Sequence, residues 1–318
     1  MLIQLLILAA GVAILAVGAD LFVRGASGVA ERFGISPFVI GLVIVGFGTS
    51  TPELAVNLDA ALTGRTDIAI GNVVGSNIAN VGVILGLAAV VAPLAVHLRM
   101  VRVELPIMIG VSILLWAMAS FGEIKRWEGA LMLAAFGAFL WFLLRTSKQE
   151  SAEVKQEYTN ENPPRHDGWK AAGFIVLGLV GLMGGAHLAV DAATTLARLW
   201  GLSELVIGLT IVAVGTSLPE LASSVAAAAR GNADIAIGNV LGSNIYNILF
   251  ILGATALITP LPTAAPTLMW LDIPVMIGFA LVLVPMMMMG LKITRANGVL
   301  LLVGYAAYVA YLLQLAGG

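Results

Sequence analysis

The sequence predicts an all-α polytopic membrane protein, with about ten transmembrane helices in two inverted five-helix repeats. Three observations predict it. Of 318 residues, 60% are hydrophobic and only 11% charged, against roughly 25% charged in a typical soluble domain. Apolar runs of about 18 residues or more recur, long enough for a helix to cross roughly 30 Å of hydrocarbon, whereas a barrel would show short alternating segments. The two halves of the chain also repeat each other at a separation of about 167 residues.

Breaking the apolar runs at charged or Gly/Pro-rich points gives spans over residues 2–23, 37–62, 69–93, 103–120, 127–145, 171–193, 204–228, 236–259, 270–290 and 296–315. The stretch Met1 to Ala19 lacks a basic leader and an Ala-x-Ala cleavage site, so it reads as the first span. The long polar stretch from Thr146 to Gly168 carries Lys148, Glu150, Glu153, Lys155, Glu157 and the pair Pro163-Pro164, and reads as a linker. The expected division is therefore a first repeat over 1–145, a cytoplasmic linker over 146–169 and a second repeat over 170–318. With both termini outside the cell membrane, the outer loops hold only Arg65, Lys125, Arg126 and Arg198, and the remaining basic residues fall inside.

The repeat is strongest between Phe38–Leu94 and Leu205–Leu261, which align without gaps at roughly 60% identity. Gly48-Thr49-Ser50-Thr51-Pro52-Glu53 returns as Gly215-Thr216-Ser217-Leu218-Pro219-Glu220, and Gly75-Ser76-Asn77-Ile78 as Gly242-Ser243-Asn244-Ile245. An odd number of spans per repeat makes the second copy enter the membrane from the opposite side. Such inverted repeats suit alternating access, with the site near the midplane.

A carboxylate inside an apolar span costs roughly several kcal/mol, so Glu53 and Glu220 mark a functional site, and their duplication strengthens that reading. Thr49 and Ser50 lie four and three residues before Glu53, on one helix face. Pro52 has no N–H, which deprives the Gly48 carbonyl of its helical partner. Thr216, Ser217 and Glu220 repeat the arrangement. Asn72, Ser76 and Asn80 fall at i, i+4 and i+8, as do Asn239, Ser243 and Asn247.

If these four spans meet, their centre holds two carboxylates, hydroxyls, amides and freed carbonyls. An all-oxygen set suits Ca²⁺ and Na⁺ and argues against zinc or copper. Without a cation, two buried Glu favour protonation, so the site holds cations or protons. No basic stretch is dense enough for nucleic acid. There is no Cys, and no His accompanies the motif serines, so no thiolate site or serine-based enzyme is expected. Asp67 and Asp234 read as helix caps, and Glu104 and Asp272, each two residues before a proline, as helix starts.

With Gly-Thr-Ser-x-Pro-Glu and Gly-Asn-x-x-Gly-Ser-Asn-Ile-x-Asn each present twice, the chain resembles the cation/calcium exchanger superfamily, prokaryotic sodium/calcium exchangers in particular. The resemblance implies a ten-helix antiporter without a cofactor that exchanges Na⁺ for Ca²⁺ by alternating access, with Glu53 and Glu220 as shared cation ligands. It implies hydroxyl or carbonyl ligands from Thr49, Ser50, Thr216 and Ser217, backbone carbonyls of Gly46 and Ala213 lining the sodium positions, and Ser76, Ser243, Asn80 and Asn247 completing the ring. Spans one and six would slide across the other eight. Some relatives carry Asp at the position of Asn247; Asn here argues against K⁺ dependence. A three-for-one exchange, a stoichiometry the resemblance supplies, would be electrogenic. Two alternatives stay open: Ca²⁺/H⁺ exchange, with the same two Glu carrying protons, and a passive cation channel, which the inverted repeat disfavours.

Overall fold

The computed structural model describes residues 1–33, 35–158, 168–200, 213–263 and 267–317. Among these, eight helices are long and apolar enough to cross a membrane, and the pair Pro37–Thr49 and Thr51–Leu62, bent at Ser50, makes a ninth span. The helices are α1 (Leu2–Phe33), α2 (Pro37–Thr49), α3 (Thr51–Leu62), α4 (Ile68–Val91), α5 (Met100–Ala119) and α6 (Arg126–Tyr158). They continue with α7 (Gly168–Leu199), α8 (Leu218–Ala229), α9 (Ala233–Ile258), α10 (Leu268–Met288) and α11 (Arg295–Gly317). The expected span over 204–228 is described only from Ala213 onward, as a short turn Ala213–Gly215 followed by α8.

Three expected boundaries move. Spans one and six are each 32 residues, about 48 Å at the helical rise, longer than the hydrocarbon needs. Charges end an apolar run without ending a helix: Arg24 pairs with Asp20 at i,i+4, 2.9 Å apart, and no proline occurs before Pro37. Likewise α6 runs through the first part of the expected linker to Tyr158, because its Lys, Gln, Glu and Ala residues are good helix formers. The rest of that linker, residues 159–167, lies outside the described residues. Glu104 stands where a π turn, Met100–Glu104, passes into the regular α-helix Leu105–Ala119; it is fully buried and accepts a hydrogen bond from Arg99 Nε at 3.1 Å.

The chain divides into two compact units, each drawing on both halves of the sequence. The first comprises Met1–Pro52 and Phe139–Asn239. Its frame is α1 against α7, where glycines let the backbones touch. A Cβ on Gly18 would lie 2.6 Å from the Leu182 nitrogen, one on Gly178 2.5 Å from that of Phe22, and one on Gly185 2.5 Å from that of Leu15. Close approach through small residues is how helices associate where lipid offers no hydrophobic driving force. Gly41 on α2 and Gly238 on α9 meet Ile235 and Phe38 in the same way.

The second unit comprises Glu53–Ala138 and Val240–Gly318. Gly129 of α6 packs on Gly253 of α9, and Gly298 of α11 on Gly86 of α4. Four two-residue strands clip the loops together antiparallel, Leu94–Ala95 to Lys292–Ile293 and Glu123–Ile124 to Leu261–Pro262. Arg126 donates to the Ile258 carbonyl at 3.2 Å, and Arg295 to the Val90 carbonyl at 3.1 Å, so each satisfies a carbonyl at a helix C-terminus. The residues aligned between the two halves thus meet reciprocally within this unit.

Candidate functional site

In the first unit the site is built around a helix break. Ser50 leaves the helical conformation at φ −80°, ψ 12°, and Ser217 does so at φ −91°, ψ 8°. Each precedes a segment in which proline is the second residue, Thr51-Pro52 or Leu218-Pro219. Proline is tolerated there because the first-turn amides have no partner within the helix. Glu220 consequently sits in the first turn of α8, where the positive end of the helix dipole favours a carboxylate.

Ser50 Oγ donates to Glu220 Oε1 at 2.8 Å. Glu220 is 2% exposed and its Oε2 has no hydrogen-bond donor among the described residues. Thr49, fully buried, donates to the Val45 carbonyl at 2.9 Å and contacts Asn239 Oδ1 at 3.2 Å. Asn239 Nδ2 in turn reaches the Glu220 carbonyl at 3.2 Å, Ser223 Oγ at 3.1 Å and Ser224 Oγ at 2.8 Å. Asn239 therefore ties the turn that carries Glu220 to the helix that carries Thr49.

Gly46 lies in the same segment, and its carbonyl accepts from Ser50 N at 3.2 Å. Ser217 is buried. Thr216 faces a cavity of about 340 Å³ lined by Pro52, Met183, Ala186, His187, Val190 and Gly215. Ala213 opens the short turn before Gly215, and its side chain lies outside the described residues.

In the second unit, Glu53 is 1% exposed and its backbone carbonyl accepts from Asn72 Nδ2 at 3.5 Å. The same amide reaches Asn57 Oδ1 at 3.2 Å. Ser76, Asn80, Ser243 and Asn247 are all buried. Both helices widen into a π turn beginning at the asparagine, Asn80–Leu85 in α4 and Asn247–Leu252 in α9. Such turns inside α-helices concentrate at functional sites.

Asn80 Nδ2 donates to Asn244 Oδ1 at 2.9 Å, and Asn247 Nδ2 to Asn77 Oδ1 at 3.0 Å. The remaining oxygens, Asn80 Oδ1 and Asn247 Oδ1, are buried and meet no donor among the described residues. Oriented, buried oxygens of this kind are what a hard cation recognises.

The residues singled out in the sequence divide between the units. Thr49, Ser50, Gly46, Ala213, Thr216, Ser217 and Glu220 fall in the first, and Glu53, Ser76, Asn80, Ser243 and Asn247 in the second. Asn77, Asn239 and Asn244, outside the expected set, are hydrogen-bonded to it. Their signal was present, since Asn77 and Asn244 occupy the same place in the two Gly-Ser-Asn triplets and Asn239 repeats Asn72.

A family model described as "Sodium/calcium exchanger protein" matches residues 3–145 and 170–314. The chain is 36% identical to the sodium/calcium exchanger MaX1 of Methanosarcina acetivorans, over 98% of each chain. It is 41% identical to the inner membrane protein YrbG of Escherichia coli strain K12, over 82% of this chain and 81% of that one. Among solved structures, the sodium-calcium exchanger NCX_Mj soaked with Na⁺ and Ca²⁺ superposes with a TM-score of 0.84 at 31% identity, covering 98% of both chains.

Proposed function

Because this chain belongs to the sodium/calcium exchanger protein family and is a multi-pass membrane transporter of cations rather than an enzyme, we propose that it carries Ca²⁺ in exchange for Na⁺. Glu53 and Glu220 supply the charge that holds the cargo. Thr49, Ser50, Thr216, Ser217, Ser76, Ser243, Asn80, Asn247 and the carbonyls of Gly46 and Ala213 supply neutral oxygens.

The observation that carries this reading is the set of buried oxygens without donors, Glu220 Oε2, Asn80 Oδ1 and Asn247 Oδ1. A buried polar atom left unpaired costs about 1–3 kcal/mol, and more when charged. A dehydrated cation bound at such an oxygen removes that cost. Ca²⁺ takes about six to eight oxygens, a number this set can supply. Two carboxylates balance one Ca²⁺, and three Na⁺ would leave a net charge of about +1, so a three-for-one cycle is electrogenic. Amides at 80 and 247 add no charge, which supports exchange without K⁺.

Alternating access follows in this reading from the duplicated halves, 1–145 and 170–318, entering the membrane in opposite senses with the 146–169 linker on the cytoplasmic side and both termini outside. The backbone contact of α1 with α7 makes these two long helices one moving body.

The test is Ca²⁺ uptake into proteoliposomes under an imposed Na⁺ gradient and, separately, an imposed pH gradient. The proposal expects uptake against a Ca²⁺ gradient with Na⁺ as driver. Uptake driven only by pH assigns the two Glu to proton exchange, and flux only down the Ca²⁺ gradient assigns the protein to channels.

A further inference from the structure

We propose that Asn77 and Asn244 are positioning residues that decide which atom of each site amide faces the cation, Asn77 acting on Asn247 and Asn244 on Asn80. The proposal rests on the cation-exchange reading above and goes beyond it by assigning a role to two residues that touch no cargo.

An amide has an accepting oxygen on one side and a donating nitrogen on the other, so its orientation matters only if something fixes it. Here backbone carbonyls do, because a carbonyl can only accept. Asn77 Nδ2 donates to the Asn244 carbonyl at 3.3 Å, and Asn244 Nδ2 donates to the Asn77 carbonyl at 3.4 Å and to Met108 Sδ at 3.5 Å. With both nitrogens committed, Asn77 and Asn244 can present only their oxygens to the neighbouring side chains. Those oxygens require donors. Asn247 meets the first with its NH₂ at 3.0 Å and Asn80 the second at 2.9 Å. The carbonyl oxygens of Asn80 and Asn247 are thereby turned the other way, and both are buried without a donor among the described residues.

A reversed Asn80 or Asn247 would set oxygen against oxygen at the brace and aim an NH₂ group at the cation, which is wrong at both ends. All four asparagines are at most 3% exposed, so water cannot substitute for the missing partner. The pairing is crossed: each brace acts on the asparagine of the other helix, about 170 positions away, rather than on the one three residues along its own. A site with Asp in place of Asn247 would need no such brace, because a carboxylate presents oxygen in either orientation; Asn77 Oδ1 would then meet an acceptor.

The crossed pattern gives the test. KM for Ca²⁺ and maximal rate are measured for Na⁺-driven uptake in proteoliposomes with Asn77→Ala, Asn247→Ala and the double variant, and with Asn77→Ala, Asn80→Ala and their double variant. Asn77→Ala should raise KM about tenfold or more, the usual effect of removing a group that orients a metal ligand, with a smaller change in maximal rate. Asn77→Ala should add nothing further in the Asn247→Ala background, yet multiply its effect in the Asn80→Ala background. If Asn77→Ala does not yield folded protein, the reciprocal cycle of Asn244→Ala with Asn80→Ala and Asn247→Ala carries the same comparison with the partners exchanged. Independent effects of Asn77 and Asn247, in a protein whose unsubstituted form transports, overturn the positioning role alone. Absence of Na⁺-driven uptake by the unsubstituted protein overturns the exchange reading, and this proposal with it.

Discussion

Ser50 donates its hydroxyl proton to Glu220 Oε1 across 2.8 Å and 170 positions of sequence. Both residues are buried, and Glu220 Oε2 meets no donor among the described residues. Ser50→Ala removes a charge-assisted hydrogen bond worth about 1.5–3 kcal/mol, as well as an oxygen. The expected outcome is a rise of about tenfold or more in KM for Ca²⁺ in reconstituted protein, with a melting temperature lower by a few degrees. An unaltered KM would mean that Ser50 serves only the helix break.

The α1 and α7 interface separates two kinds of glycine on one helix. A side chain at Gly178 would press on the Phe22 backbone at 2.5 Å, whereas a Cβ at Gly184 meets nothing within 4 Å. Overpacking costs typically about 1–3 kcal/mol, so Gly178→Val should lower the melting temperature in detergent and abolish transport. Gly184→Ala should leave both unchanged or raise stability slightly, since Ala favours helix by about 1 kcal/mol over Gly. Equal melting temperatures for the two variants would contradict the packing account.

The Arg99 and Glu104 pair is asymmetric. Glu104 is fully buried while the Arg99 side chain keeps 23% of its exposure. Removing Arg99 takes a cationic partner from a buried carboxylate; removing the charge of Glu104 leaves an arginine that reaches solvent. Arg99→Ala should therefore destabilise the protein clearly more than Glu104→Gln in thermal melts. The reverse order would show that the ion pair is not what holds Glu104.

Much of this was legible in the sequence, for reasons of polarity. Glu53 and Glu220 stand out because charges are rare inside apolar runs, and the helix breaks at Ser50 and Ser217 because proline follows two residues later. What stayed hidden depends on partners rather than on residue type. Asn77 reads as one more polar residue beside Ser76 until the Asn244 carbonyl claims its nitrogen. The π turns beginning at Asn80 and Asn247 leave no trace in the spacing, since an extra residue in one turn does not alter composition. Charge was also a poor guide to helix ends: α1 and α7 continue past Asp20 and Asp191 because i,i+4 pairs with Arg24 and His187 accommodate the charges on the helix.

The central claim is that the carboxylates of Glu53 and Glu220 hold the transported cation, and the most direct measurement is Na⁺-driven Ca²⁺ uptake by Glu53→Gln and Glu220→Gln proteins shown by thermal melting to be folded. Each substitution keeps the shape and removes one of two charges from a site that must balance a divalent ion. The account predicts loss of uptake in both variants, with melting temperatures at or above that of the unsubstituted protein because a buried charge has been removed. Uptake at the unsubstituted rate in either folded variant would contradict it and place the cation elsewhere.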